Sequence, residues 1–263
     1  MNKVFTAALV LAFLCPPAFP RQQTAAGGAR LLDSFGELRI SDLLARLDNF
    51  AVELQNEPGS KGFIVAYGAK HKFPGWPLRR ANLSLNYLVN SRGLDAARLS
   101  VFNGGLREDT TFELWAVDAG AELPVKPFDV SLLMAGEKTP LPFDRFAIIE
   151  RGDQIEAEYY EPDPYPDSAA LYAYFADVLR HDPGLRGCVI AYTSRRGSRA
   201  ADRRIAARVK MAIAKAHAVD VSRIAAFGGG RRDYKTIELW LVPPGAELPK
   251  PTPTVRPSRR KKR

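Results

Sequence analysis

Apolar residues along this chain fall into two alternating kinds of run. Leu43, Leu44, Leu47, Phe50, Ala51 and Leu54 recur at helical spacing and predict one amphipathic helix with a single apolar stripe. Ser41 and Asp42 suit its start, as a hydroxyl can accept from orphan N–H groups and an acid complements the dipole. Pro58-Gly59 ends it. Phe63-Ile64-Val65-Ala66-Tyr67 is a short continuous apolar run, the mark of a strand covered on both faces. Residues 35–40 (FGELRI) predict a strand before that helix. A second helix is expected over 78–92, closed by Gly93. A third strand follows over 99–102, then Asn103-Gly104-Gly105 as a tight turn, and a fourth strand over 111–117.

The same order then begins again. Thr236-Ile237-Glu238-Leu239-Trp240 and the following Gly245-Ala246-Glu247-Leu248-Pro249 repeat Thr111-Phe112-Glu113-Leu114-Trp115 and Gly120-Ala121-Glu122-Leu123-Pro124, 125 residues earlier. Pro183-Gly184, Gly187, Tyr192, Arg204, Asp220, Arg223 and Phe227 stand at the same offset from Pro58-Gly59, Gly62, Tyr67, Arg79, Asp95, Arg98 and Phe102. A period this long is a domain rather than a solenoid unit. The fold class is therefore α/β (α+β): two tandem domains, each strand-helix-strand-helix-strand-strand, with a mixed sheet packed against helices. The expected boundaries are 30–124 and 143–249, joined by a proline-flanked linker over 125–142. The second helix is the least regular part, because Leu78, Ala81, Leu85 and Leu88 do not superpose in register on Ile205, Val209 and Ile213. An insertion rich in Asp, Glu, Tyr and Pro over 151–167 separates the first strand of the second copy from its helix.

Composition changes this picture at the two ends. Lys3 followed by the apolar run VFTAALVLAF (4–13), too short to span a bilayer, reads as a signal peptide over 1–26, with small residues at 24–26 as a cleavage site. Removal of Cys15 would leave Cys188 alone in an apolar run, a buried structural thiol rather than half of a disulfide. No later stretch is apolar enough to cross a membrane, so the expected product is a soluble, periplasmic or secreted protein. The formal net charge is +9, but six of those charges lie in the last eight residues. Residues 250–263 are expected to be a disordered basic tail.

Ala66-Tyr67-Gly68 and Ala191-Tyr192-Thr193 at the strand ends, Leu78-Arg79-Arg80-Ala81 and, more loosely, Asp202-Arg203-Arg204-Ile205-Ala206 at the helix openings, and Phe112-Glu113-Leu114 and Ile237-Glu238-Leu239 in the closing strands form a family pattern. Both copies resemble the peptidoglycan-binding C-terminal domain of the OmpA-like family. The resemblance implies a cell-envelope binding or structural protein and peptidoglycan or another envelope component as partner. In that family an Asp at the turn after the second strand and an Arg of the helix opening hold the zwitterionic end of the stem peptide. Arg79 or Arg80 and Arg203 or Arg204 are the corresponding binding residues here, whereas Ala69 and Ser194 stand where the Asp would be.

Other chemistry is thin. The two glycine runs, helped by Arg107 or by Arg231 and Arg232, could cradle an anion, but they lie between strands with no helix behind them, so a tight turn or bulge is the expectation. His71, His181 and His217 lack metal spacing, and no nucleophile elbow or zinc-protease motif occurs. The expectation is a non-enzyme with no cofactor and no metal. Arg195, Arg196, Arg199, Arg203, Arg204 and Arg208 crowd the second copy without interleaved aromatics. Together with the tail they define an alternative reading, an anionic-polymer-binding protein.

Overall fold

The computed structural model describes residues 24–25, 28–69, 73–148 and 169–255. The insertion over 151–167 and the basic residues 256–263 lie outside the described residues. So does the predicted export segment, except for its last described residues, which form a two-residue strand.

The first unit comprises β1 (Thr24–Ala25), β2 (Ala29–Phe35), α1 (Ile40–Asn56), β3 (Lys61–Ala69), α2 (Trp76–Arg92), β4 (Leu99–Arg107) and β5 (Thr111–Val117). The second comprises β6 (Leu141–Ala147), α3 (Ala173–His181), β7 (Arg186–Thr193), α4 (Arg199–His217), β8 (Ile224–Arg231) and β9 (Thr236–Val242). The sheets run β1-β2-β5-β3-β4 and β6-β9-β7-β8, with β3 parallel to β4, β7 parallel to β8 and every other pair antiparallel. Each unit is thus a mixed sheet with helices on one face, as its element order predicts.

The α1 stripe buries Leu43, Leu47, Phe50, Ala51 and Leu54 against Ile64, Ala66 and Leu114 of the sheet. Gly93 ends α2 in the left-handed conformation at φ 69°, its N–H returning to Leu88 and Val89 carbonyls. The C-terminus of each first helix is closed by an arginine. Arg98 donates to the carbonyls of Leu54, Glu57 and Ser60, and Arg223 donates to those of Leu179, Asp182 and Leu185. These groups stand at matching positions of the repeat and satisfy helix-end carbonyls that have no partner in the helix. Asp95 and Asp220 orient the two arginines by accepting from the backbone N–H two residues on.

Four expectations shift. The first strand lies at 29–35, not 35–40, because its partner β5 begins at Thr111 and Phe35 already faces Phe112. Beyond Phe35 a strand would have nothing to pair with, so Ile40 starts the helix instead. The stripes of the second helices superpose in part: Ala81, Ser84 and Leu88 are buried at the positions of Ala206, Val209 and Ile213, whereas buried Leu78 matches the exposed Arg203. The small Ser84 in the place of Val209 is what hides the register in the sequence. The 125–142 segment is not a free linker, since Phe128 and Val130 pack against the second core, Leu133 and Met134 belong to it, and β6 begins inside the segment. Finally, residues 250–255 turn back across β8 rather than leaving the domain, with the N–H groups of Thr254 and Val255 donating to the Arg231 carbonyl.

Among the described residues the two units meet at a junction between α2 and β6. The Gly75 N–H donates to the Phe143 carbonyl at 2.8 Å, and the Phe143 ring lies where a side chain at position 75 would stand. Beside it Arg79, from the first turn of α2, pairs with Asp144 of β6 at 2.8 Å. These side chains are only 8% and 2% exposed. The Arg79 guanidinium also lies over the Phe146 ring, 4.7 Å from its centroid. Tyr174 packs against both cores, and burial pushes its phenol up to about 12.

Arg79→Ala would leave the Asp144 carboxylate buried and uncompensated, which costs about 3–5 kcal/mol. Arg204→Ala, at the matching but exposed position of the second unit, should stay within about 0.5 kcal/mol. Urea unfolding of the two variants against the parent protein checks the contrast.

Candidate functional site

The four predicted binding arginines have different surroundings. Arg79 is enclosed by Asp144 and Phe146 of the second unit. Arg80 is half-buried, donates to the Leu38 carbonyl and lies over Trp76. Arg203 and Arg204 are exposed at the start of α4. The turn positions that lack the expected acid are Ala69, buried at the end of β3, and Ser194, half-buried after β7. The guanidinium of Arg79 does face a carboxylate, but that carboxylate is Asp144 from the other unit. The loop-and-helix end of the first unit is therefore covered by β6. The same end of the second unit is open, and Arg195, Arg196, Arg203, Arg204 and Arg208 are exposed there. Arg195 forms an ion pair with Asp233 across the hairpin.

A second arrangement, repeated in both units, lies on the sheet face away from the helices. In the first unit the Glu113 carboxylate accepts from the Tyr67 hydroxyl at 3.0 Å, the Trp115 indole at 3.0 Å and Arg107 at 2.8 Å. The Arg107 guanidinium stacks on the Tyr67 ring, 3.3 Å from its centroid. In the second unit Glu238 accepts from Tyr192 at 3.0 Å, Trp240 at 3.4 Å and Arg232 at 2.7 Å, and Arg232 lies 3.5 Å over the Tyr192 ring. Strand pairing places these groups together, because Tyr and Glu stand two residue pairs apart on neighbouring strands and Trp follows Glu by two, on the same face.

These clusters account for the glycine runs. A Cβ at Gly104 or Gly229 would lie 2.3 or 2.4 Å from the Tyr67 or Tyr192 ring. Gly105 and Gly230 take φ values of 92° and 94°, where the parallel register slips by one residue. Of the tight turn or bulge expected at 103–105, the structure has the bulge, inside β4, and the strand runs on to Arg107. The runs form no anion cradle: they lie within the sheet, and the N–H groups of Gly105 and Gly230 donate to the Asn103 and Asp202 side chains.

The two clusters are not equally covered. Pro253 packs on Gly230, the Thr252 N–H donates to the Tyr192 hydroxyl at 3.1 Å, and Arg232 donates to the Thr252 hydroxyl at 2.8 Å. In the first unit Phe128 packs on Gly105, while the position matching Thr252 is Pro127, which has no N–H to give. Arg232 is 10% exposed and Arg107 is 40% exposed. Chemically, each glutamate already accepts from three donors and each tyrosine is held protonated. Burial, with the adjacent Glu113 carboxylate, pushes the Tyr67 phenol up to about 12, and burial also raises Tyr192, against the Thr252 N–H. This arrangement orients aromatic rings and guanidinium groups; it offers no base or nucleophile. Sequence reasoning passed over these clusters, although Tyr67, Arg107, Glu113 and Trp115 all recur at the 125-residue offset.

Cys188 is buried in the same face of the second sheet, and burial pushes its thiol up to about 12, with Glu238 adding to the shift. Among the described residues no group of His, Cys, Asp and Glu could hold a metal ion, and no helix is long and apolar enough to cross a membrane.

No family model matches this chain, and neither does any curated protein. Among solved structures it is similar at 13% identity to a chorismatase, over 84% of this chain and 78% of that one, with a TM-score of 0.23. A likeness that low carries no argument.

Glu238→Gln removes the counter-charge of a buried guanidinium and should cost about 3 kcal/mol or more. Glu113→Gln beside the more exposed Arg107 should cost about 1 kcal/mol, a difference that chemical denaturation can read. Alkali should also unfold the protein. A free tyrosine loses its proton near pH 10 and Tyr67 and Tyr174 hold theirs to about 12, so their contribution is full below pH 10 and lost as pH rises through 12. Denaturation midpoints measured across pH 9 to 12 should fall in that window, while Cys188 should resist a thiol reagent at pH 8 until the fold is opened.

Proposed function

We propose that the protein is an exported, non-catalytic protein of the cell envelope, built from two OmpA-like units, that holds an anionic polymer on the open end of its second unit. One observation carries this reading. The two loop-and-helix ends occupy equivalent positions of the repeat, yet the first is closed by β6, whereas the second exposes five arginines around the start of α4. Guanidinium groups spread along a loop and a helix turn suit repeated carboxylates or phosphates better than one compact zwitterion. The element order and sheet order support the family resemblance, and the wholly satisfied Glu113 and Glu238 clusters support a role in binding or structure rather than catalysis.

Peptidoglycan, bound through an Asp–Arg clamp, is the second reading. It has less support, as Ala69 and Ser194 provide no acid and Arg79 is occupied by Asp144. Of Arg79 and Arg80, Arg80 is the one that remains partly accessible.

Retention on immobilised heparin and co-sedimentation with purified sacculi separate the two. The parent protein should be retained on heparin at low salt and released at moderate salt, because displaced counterions drive such binding. Arg196→Ala/Arg203→Ala/Arg204→Ala should elute at distinctly lower salt even with 256–263 removed from both proteins. Sedimentation with sacculi that persists in high salt and disappears in Arg80→Ala would instead favour the stem-peptide clamp. Binding to neither material would end both readings.

A further inference from the structure

We propose that the chain associates head to tail with a second copy of itself, the start of α4 in one copy docking on β2 of the next. The template is the junction inside the chain, where the start of α2 docks on β6. There the Gly75 N–H meets the Phe143 carbonyl, Arg79 pairs with Asp144, and its guanidinium lies over Phe146. Both halves of that junction exist a second time, on the outer ends of the chain.

β2 and β6 are equivalent strands. Each is bulged, after Leu31 and after Pro142, and each then aligns an aspartate with a leucine of the closing strand: Asp33 with Leu114, Asp144 with Leu239. Phe35 consequently occupies on β2 the place of Phe146 on β6, and Leu32 that of Phe143. On the donor side Arg204 stands at the position of Arg79, and Ala200 at that of Gly75. The sizes compensate. Gly75 leaves room for the Phe143 ring, which a Cβ would approach to 2.3 Å, whereas Ala200 would face the smaller Leu32. Among the described residues β1 pairs with Ala29 and Arg30, short of Leu32. Ala200, Arg203 and Arg204 are exposed.

Within a single chain the β2 niche holds Arg46, whose Nη1 lies 2.6 and 2.7 Å from the Asp33 oxygens, with the guanidinium 5.2 Å over Phe35. The matching residue of the second unit is Leu171, and there the arginine arrives from the other unit. The first unit thus fills with its own arginine the niche that an incoming Arg204 would fit. The Arg46–Asp33 pair is partly exposed (40% and 29%), so exchanging it costs little. Around it the apolar Tyr174 and Leu106 of the internal junction are matched by Asn49 and Arg231, making the contact between copies more polar and reversible. Such a contact is heterologous and builds a ring or a filament, according to the angle it sets.

This inference shares the open end of the second unit with the polymer-binding reading but does not depend on it. Sedimentation velocity of the full chain, from micromolar to near-millimolar concentration, should show a mean mass rising above that of one chain. Asp33→Asn and Arg204→Ala should each raise the dissociation constant about tenfold or more, and Arg46→Ala, which empties the niche, should lower it. Asp33→Asn leaves the arginines of the second unit in place and should keep heparin retention unchanged, so a failure of association and a failure of polymer binding are read separately. A mass of one chain at every concentration in both the parent and Arg46→Ala would overturn the proposal. So would association that neither Asp33→Asn nor Arg204→Ala weakens.

Discussion

The buried pair of Arg79 and Asp144 is the constraint on which the arrangement of the molecule depends. Two charges removed from water must be held in good geometry by each other, or the junction that buries them does not form. The pair meets that demand by joining the first turn of α2 to the outer edge of β6, with the Gly75–Phe143 hydrogen bond on one side and the Phe146 ring on the other. One consequence is steric: Gly75 cannot carry a side chain beneath Phe143. Another is functional, since the same contact closes the loop-and-helix end of one unit and leaves its counterpart open.

A different requirement governs the far face of each sheet. A glutamate buried on a strand needs its lone pairs filled, and the Tyr, Trp and Arg around Glu113 and Glu238 fill them. The tyrosine must then lie flat on the neighbouring parallel strand, which explains Gly104 and Gly229, and the arginine must stack above it. Gly105 and Gly230 supply the bulge that returns the strand to register. In the second unit the returning 250–255 segment completes the cover, whereas Pro127 withholds that hydrogen bond in the first. The Glu-Leu-Trp phrase that marks the repeat is therefore the sequence trace of this polar layer.

The strand-helix-strand-helix-strand-strand order was legible because apolar runs, a helical stripe and Gly or Pro punctuation each mark elements locally. Gly93 and the α1 stripe needed nothing beyond their own neighbours. Features set by partners were not legible. The end of β2 depends on where β5 begins, the buried register of α2 is masked by Ser84, and the 125–142 segment gives no sign that Leu133 and Met134 belong to the second core. Likewise Arg79 and Arg204 look alike in sequence, and only the position of β6 makes one a buried junction residue and the other an exposed cation. The polar clusters were readable in principle, since four residue types recur at one offset, but their meeting across three strands is a matter of register.

Identity between the copies does not have one cause. Arg98 and Arg223 match because each helix end has carbonyls to satisfy within its own unit, and Glu113 and Glu238 match because each sheet face has the same donors. Arg79 and Arg204 are identical without sharing surroundings. Packing within the second unit does not call for an arginine at 204, which is exposed while Ile205, Ala206 and Val209 fill the core beneath it. Asp33 poses the converse case, an acid matching Asp144 that is met by Arg46 where the second unit has Leu171. A second copy of each half of the junction, one on each outer end of the chain, places the unspent complementarity of the duplication outside the single molecule.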